Sequence, residues 1–172
     1  MEIELNPLNP FRTMSSSSPD LVFVYGTLKS GEPNHDLIKS SSTGARLVGR
    51  AKTCHRWPLI IASRYNIPYL LHCRDKGEHV LGEVYEVDDD MLAKLDELEC
   101  HPDYYTRRKE PVHLLSTSTE ITPWIYFLRD YKPELLDFPM LSEYFSIGTH
   151  GKPYVPRYLR PSDPYHSDVQ NS

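Results

Sequence analysis

The first clear pattern along the chain is an apolar segment followed directly by a loop that contains glycines. Leu21–Tyr25 is apolar without alternation, which predicts a strand buried on both faces. Gly26 and Gly31 lie in the loop that follows, and a short helix is predicted at 35–38 with Asn34 as its cap. A strand and loop of this kind present consecutive backbone N–H groups, which is how many proteins bind an anion.

The remaining apolar segments predict a strand-rich chain with few helices and no regular βαβ repeat. This order favours an α+β fold: a single domain with a small curved β-sheet or barrel and a few packed helices. The strands are predicted at 46–53, 57–61, 66–71, 80–87, 107–115 and 123–129, and the clearest helix at 89–99, with a helical turn or two within 134–145.

The two ends of the chain contain few apolar residues and many prolines. Residues 1–19 include three prolines and a run of four serines, and the residues from Gly148 onward include four prolines. We therefore expect a flexible leader at 1–19, one domain at 20–147, and a flexible or loosely docked tail at 148–172.

The helix predicted at 89–99, with Asp88 as its cap, carries one acid among its apolar residues. At about 100° per residue, its leucines and Met91 form one stripe, and Glu99 falls inside that stripe, whereas the other acids lie outside it or at its border. Burial would raise the pKa of Glu99, as a group that accepts and returns a proton near neutral pH requires. The alternative is a frayed helix end, with Glu99 solvated or paired with Arg107 or Arg108.

Composition and charge restrict the partners and the compartment. The 172 residues carry a net charge of −5 and no long basic run, so nucleic acid and anionic membranes are not expected partners. No apolar run is long enough to cross a membrane, and no secretory signal is recognisable. Three cysteines without regular spacing suit a reducing compartment, and we expect a cytoplasmic protein.

Other candidate sites are weaker. Cysteine and histidine are neighbours at 54–55, 72–73 and 100–101, but zinc-ligand spacings are absent, so no metal is expected. Glu83 is a rival acid inside an apolar strand, and projection from a sheet edge into water is its favoured position. Tyr104, Tyr105 and Arg107 follow Glu99 closely, and each is a candidate for the same pocket.

Four motifs occur in an order that resembles a known family. They lie at 22–34, 66–72, 82–88 and 95–107; the first contains Val-Tyr-Gly-Thr-Leu and the last Leu-Asp-x-x-Glu. The chain resembles the gamma-glutamylcyclotransferase-like superfamily and, within it, the gamma-glutamylamine cyclotransferase branch and its plant relatives. This resemblance implies a compact barrel-like fold whose cavity binds a gamma-glutamyl group.

The resemblance also implies site residues and a reaction. The catalytic acid–base residue would be Glu99, and Tyr105 is a further candidate for substrate binding. The reaction is a cofactor-independent acyl transfer that closes the gamma-glutamyl group to 5-oxoproline and releases an amine. The implied substrate-binding loop consists of Tyr25, Gly26, Thr27 and Leu28.

Two other functions stay open at this point. One is a non-catalytic module that binds a gamma-glutamyl compound or another small anion. The other is a hydrolase that uses the same loop and acid with water. The pattern of residues does not predict the leaving amine or the oligomeric state.

Overall fold

The computed structural model describes residues 18–39, 44–162 and 164–171. The predicted leader lies outside these residues except for its last two positions. Short 3₁₀ helices occur at Pro133–Asp137, Arg157–Leu159 and His166–Asp168. The main elements are β1 (Asp20–Val24), α1 (His35–Lys39), β2 (Ala45–Trp57), β3 (Leu59–Ala62), β4 (Ile67–Leu70), β5 (Glu78–Val87), α2 (Asp89–Leu98), β6 (Tyr105–Lys109), β7 (Val112–Leu114), β8 (Glu120–Ile121) and β9 (Trp124–Leu128).

Seven strands form one sheet in the order β6-β9-β1-β5-β2-β7-β8, and β3 and β4 form a second sheet. The large sheet curls into a half-barrel, which confirms the predicted α+β fold with a small curved sheet and few helices. β1 lies inside this sheet, antiparallel to β5 and parallel to β9. In the ranges described, no helix has the length and apolar character needed to cross a membrane.

The strand β1 contributes to the hydrophobic core on both of its faces, as predicted. Val22 and Val24 belong to one core cluster, together with the buried face of α2, and Phe23 belongs to the other. A side chain at Gly82 on β5 would place its Cβ 2.4 Å from the carbonyl oxygen of Val24. Glycine at this position therefore lets β5 approach the end of β1, where the loop begins.

The helix α2 confirms the predicted amphipathic helix and its cap. The carboxylate of Asp88 accepts the backbone N–H of Met91 at 2.8 Å, as an N-cap residue does. Met91 and Leu95 are 1% exposed, so the predicted stripe faces the core. The helical hydrogen-bond pattern continues to the N–H of Glu99, which donates to the carbonyl of Leu95 at 2.9 Å.

The strand predicted at 107–115 is wrong in its extent, because two strands occupy this segment. β6 pairs with β9, whereas β7 pairs with β2 and β8. The break lies at Glu110 and Pro111. Pro111 has no N–H for a sheet hydrogen bond, and the buried Glu110 turns toward Arg74, with the nearest oxygen and nitrogen 3.2 Å apart.

The C-terminal segment lies against the rest of the domain at several points. The N–H of Lys132 donates to the carbonyl of Val169 at 2.8 Å, and the side chain of Val169 is fully buried. Arg64 and Asp168 form an ion pair at 2.7 Å. The predicted division of the chain at residue 147 stays a prediction, but residues beyond it contribute to the core and to the site below.

Candidate active site

A cavity of about 90 Å³ opens where the loop after β1 meets the end of α2. It is several times larger than the roughly 10–15 Å³ that one water molecule needs, so it admits a larger ligand. Six of the residues named from the sequence line it, which brings the N-terminal loop and the end of α2 into one site. They are Tyr25, Gly26, Thr27, Leu28, Glu99 and Tyr105. Tyr104 lines it as well, whereas the further candidate Arg107 does not.

The loop after β1 uses the carbonyl groups of residues 26–28 internally, whereas the N–H groups of these three residues have no acceptor among the described residues. Three consecutive free donors in a cavity wall are suited to an anion or an oxyanion. The carbonyls of the same residues each accept one bond: Gly26 from Lys29 N–H at 3.2 Å, Thr27 from Asn34 N–H at 2.8 Å and Leu28 from the His35 ring at 3.0 Å.

A buried carboxylate holds this loop in place. Glu83 on β5 is 7% exposed and accepts hydrogen bonds from the backbone N–H and the hydroxyl of Ser30. The expectation that Glu83 projects into water is therefore wrong, because β5 lies between β1 and β2 inside the sheet. Lys29 adds a second anchor, since its ammonium group donates to the carbonyl of Tyr144.

Glu99 presents an unpaired carboxylate to the cavity. The residue keeps part of its surface open to the cavity, while protein atoms surround the carboxylate densely enough to desolvate it. Among the described residues, the Glu99 carboxylate has no hydrogen-bond or ion-pair partner. Burial raises the pKa of Glu99 from its ordinary 4.5 to about 7, although the charge of Arg157 acts in the opposite direction. The group can therefore gain and lose a proton near neutral pH.

The alternative pairing of Glu99 with Arg107 is wrong, because Arg107 pairs with Asp96. The guanidinium of Arg107 donates to the Asp96 carboxylate at 2.8 Å, and the Tyr126 hydroxyl donates to it at 2.6 Å. Burial raises the pKa of Asp96, but these hydrogen bonds outweigh it, so the pKa lies below its usual value. Asp96 therefore stays charged and does not titrate with Glu99.

Tyrosine side chains form much of the remaining wall. The hydroxyl of Tyr25 donates to the carbonyl of Tyr126 at 2.7 Å, and that of Tyr105 donates to the carbonyl of Pro68 at 3.2 Å. Burial first, and the nearby Glu99 carboxylate in addition, raise the pKa of Tyr25 and Tyr105 well above the ordinary value. Both phenols are therefore neutral and hold the wall in a fixed position.

Comparisons with known proteins identify the family of this chain. A family described as "Gamma-glutamyl cyclotransferase, AIG2-like" matches residues 22–146. The chain belongs to this family. The match includes every site residue predicted from the sequence, and it confirms the superfamily that the four motifs resemble.

Individual members of the AIG2-like family support the same branch. The gamma-glutamylaminecyclotransferase of Bos taurus is 45% identical over 140 residues, which cover 81% of this chain and 83% of the relative. The gamma-glutamylaminecyclotransferase of Homo sapiens is 40% identical, covering 81% and 99% of the two chains. A crystal structure of an AIG2-like protein from Mus musculus superposes with a TM-score of 0.79 at 41% identity, covering 84% and 100%.

The C-terminal segment of the present chain supplies cavity residues that were not predicted from the sequence. They lie beyond residue 146, where the family match ends. The prolines of this segment predicted a flexible or loosely docked tail, although its closely spaced arginines and aromatic residues were a signal for a ligand-facing surface. The added lining residues are Tyr154, Arg157, Arg160, Tyr165 and His166.

One group of metal-ligand side chains lies outside the cavity. The ligand atoms of Cys54, His113 and Glu120 are within 4.8 Å of one another on β2, β7 and β8. They could hold a metal ion, but His113 and Glu120 are exposed. This group differs from the neighbouring Cys-His pairs considered from the sequence, because sheet pairing brings together residues that are far apart in the chain.

Proposed function

We propose that this protein is a gamma-glutamyl cyclotransferase, an acyltransferase that acts on a gamma-glutamyl amine or peptide. It converts the gamma-glutamyl group to 5-oxoproline and releases the amine. The observation that carries the proposal is the presence, in one cavity, of an unpaired Glu99 carboxylate and three free backbone N–H groups. The gamma-glutamylaminecyclotransferases that share 40–45% of the aligned residues support the same activity.

The reaction needs proton transfer and charge stabilisation but no enzyme nucleophile. The α-amine of the substrate attacks its own γ-carbonyl carbon, forming the new C–N bond of a five-membered ring. The C–N bond to the leaving amine then breaks. Because attack is intramolecular, the enzyme's tasks are to fold the substrate, move one proton and stabilise the oxyanion.

The cavity residues divide these tasks between them. Glu99 takes a proton from the substrate ammonium and returns it to the leaving amine, and a pKa of about 7 allows both transfers near neutral pH. The N–H groups of Gly26, Thr27 and Leu28 bind the oxyanion or the α-carboxylate. Tyr25 and Tyr105 form walls for the folded substrate.

The proposal is tested by product analysis of a panel of gamma-glutamyl amines, amino acids and peptides incubated with the purified protein. We expect 5-oxoproline and the free amine in equal amounts, measured by mass spectrometry. Free glutamate in place of 5-oxoproline would indicate a hydrolase. Saturable binding without any product would indicate a binding module, and both results contradict the proposal.

We also propose a cytoplasmic location and a small-molecule substrate in place of a macromolecular partner. The three cysteines, Cys54, Cys73 and Cys100, are all free thiols, which suits a reducing compartment. Fractionation of cells that express the tagged full chain tests the location.

The charge of Arg157 predicts a shift in the pH dependence of the reaction. Because this charge lowers the pKa of Glu99, Arg157→Gln raises that pKa above its value of about 7. The acidic limb of kcat/KM then moves to higher pH, with a loss at neutral pH of a few-fold and little loss about two pH units higher. A series of kcat/KM measurements across both limbs detects the shift.

Arg108→Gln is the matched control, since Arg108 is an exposed arginine on β6 that does not line the cavity. It should leave the acidic limb unchanged. If Arg157→Gln also leaves it unchanged, Glu99 is not the group whose ionisation controls the rate.

A further inference from the structure

Arg160 in the C-terminal segment presents a guanidinium nitrogen that no described residue binds. Its Nε donates to the carbonyl of Val155 at 2.9 Å, and its Nη1 donates to the hydroxyl of Tyr165 at 3.3 Å. The remaining nitrogen, Nη2, is buried and has no hydrogen-bond partner in the part of the chain that the structure describes. A buried charged donor without an acceptor is unfavourable, and an acceptor supplied by a ligand would remove this cost.

The guanidinium is held in a fixed position by aromatic rings. Its central carbon lies 5.2 Å from the ring centre of Tyr65, 5.0 Å from that of Tyr154 and 5.3 Å from that of Tyr165. Cation–π contacts of this kind restrict a side chain while leaving its N–H groups available. Arg160 is therefore an ordered donor in the cavity wall.

The arginine and the loop after β1 belong to one site. Both line the same cavity, and a hydrogen-bond chain connects the loop to one of the rings around Arg160. The side-chain amide of Asn34 donates to the hydroxyl of Tyr154 and to the hydroxyl of Thr27, each at 2.9 Å. One end of the chain is part of the ring cage around Arg160, and the other is a residue of the proposed substrate-binding loop.

The charge of the cavity favours an anionic ligand. Its lining contains two arginines, Arg157 and Arg160, and a single acid, Glu99. Among the described residues, neither guanidinium forms an ion pair, and Glu99 does not compensate them by direct contact. The two arginines thus give the wall a net positive charge both when Glu99 is protonated and when it carries its one negative charge.

We propose that Arg160 is a substrate-binding residue whose Nη2 binds a carboxylate of the substrate. A guanidinium is well matched to a carboxylate in charge and geometry. The proposal rests on the proposed function, because a gamma-glutamyl substrate supplies this chemistry. The carboxylate is either the α-carboxylate of the glutamyl group or that of a leaving amino acid, and two measurements separate these sources.

The first measurement uses 5-oxoproline and 2-pyrrolidinone, two small rings that differ by one carboxylate. Calorimetric titration of the wild type and Arg160→Gln gives their affinities. If Arg160 binds the glutamyl α-carboxylate, the variant binds 5-oxoproline about 10- to 100-fold more weakly, as expected for a lost charge-assisted hydrogen bond. The affinity for 2-pyrrolidinone stays unchanged.

The second measurement compares kcat/KM for a gamma-glutamyl amino acid and for a gamma-glutamyl alkylamide that lacks the second carboxylate. If Arg160 binds the carboxylate of the leaving amine, Arg160→Gln lowers kcat/KM about 10- to 100-fold for the gamma-glutamyl amino acid and leaves it unchanged for the alkylamide. Arg160→Lys, which keeps the charge, should recover part of this loss. If Arg160→Gln has the wild-type affinities in the first measurement and the wild-type kcat/KM values in the second, the proposal is overturned.

Arg64→Gln is the matched control for a purely structural effect. Arg64 binds Asp168 in the same C-terminal segment, but it does not line the cavity. If Arg64→Gln causes the same selective losses, Arg160 acts by docking the segment and the proposal fails. If the wild type forms no 5-oxoproline from any substrate, the proposed function fails. An active wild type with an unaffected Arg160→Gln variant contradicts only the arginine assignment.

Discussion

Replacement of Glu99 by glutamine is expected to lower kcat for 5-oxoproline release by about 10³-fold or more. Glutamine keeps the shape of glutamate but cannot accept the proton of the substrate ammonium. Among the described residues the Glu99 carboxylate has no hydrogen-bond or ion-pair partner, so the substitution breaks no structural contact. The measurement is the initial rate of 5-oxoproline formation at saturating substrate.

Glu97→Gln is the control for this experiment. Glu97 is an exposed acid in the same turn of α2 and does not line the cavity. It should retain the wild-type rate. Full activity of Glu99→Gln, with a circular dichroism spectrum like that of the wild type, would show that another group transfers the proton.

The same substitution is expected to stabilise the folded protein at alkaline pH relative to acidic pH. The folded state holds a proton on Glu99 with a pKa of about 7, whereas the ordinary value is 4.5. The stabilisation that this proton gives the folded state is complete below pH 4.5 and is lost as the pH rises through about 7. Since each pH unit between the two values is worth about 1.4 kcal/mol, the loss approaches about 3 kcal/mol.

Urea unfolding of the wild type and Glu99→Gln at about pH 4.5 and about pH 8 measures this effect. The free energy of unfolding of the variant, relative to the wild type, should be higher at pH 8 than at pH 4.5 by about 3 kcal/mol. An equal difference at the two pH values would mean that the carboxylate is solvated in the folded state.

The two expected results mean that the charge of Glu99 is needed for activity and lowers the stability of the folded protein. A desolvated carboxylate at the end of α2 opposes folding, and the same desolvation gives it a pKa at which it can act as acid and base. Loss of activity with a gain in stability is the pattern expected of a residue retained for function.

Features that depend on local pattern were predictable from the sequence. The strand β1, the loop that follows it and the helix α2 with its cap at Asp88 were all predicted, because apolar periodicity and capping act over a few residues. The same periodicity predicted that Glu99 faces inward. Five of the six predicted site residues lie in the loop after β1 or at the end of α2, and the sixth, Tyr105, lies on β6.

The distant segments that complete the site were not predictable from local pattern. Arg157 and Arg160 enter the cavity through contacts between residues about 100 positions apart, such as Arg64 with Asp168. Glu83 is buried because of the strands on either side of β5, and the segment 107–115 divides because its two halves pair with different strands. Such pairings depend on the whole sheet and not on local pattern, since the energy of burial and pairing comes from residues remote in the chain.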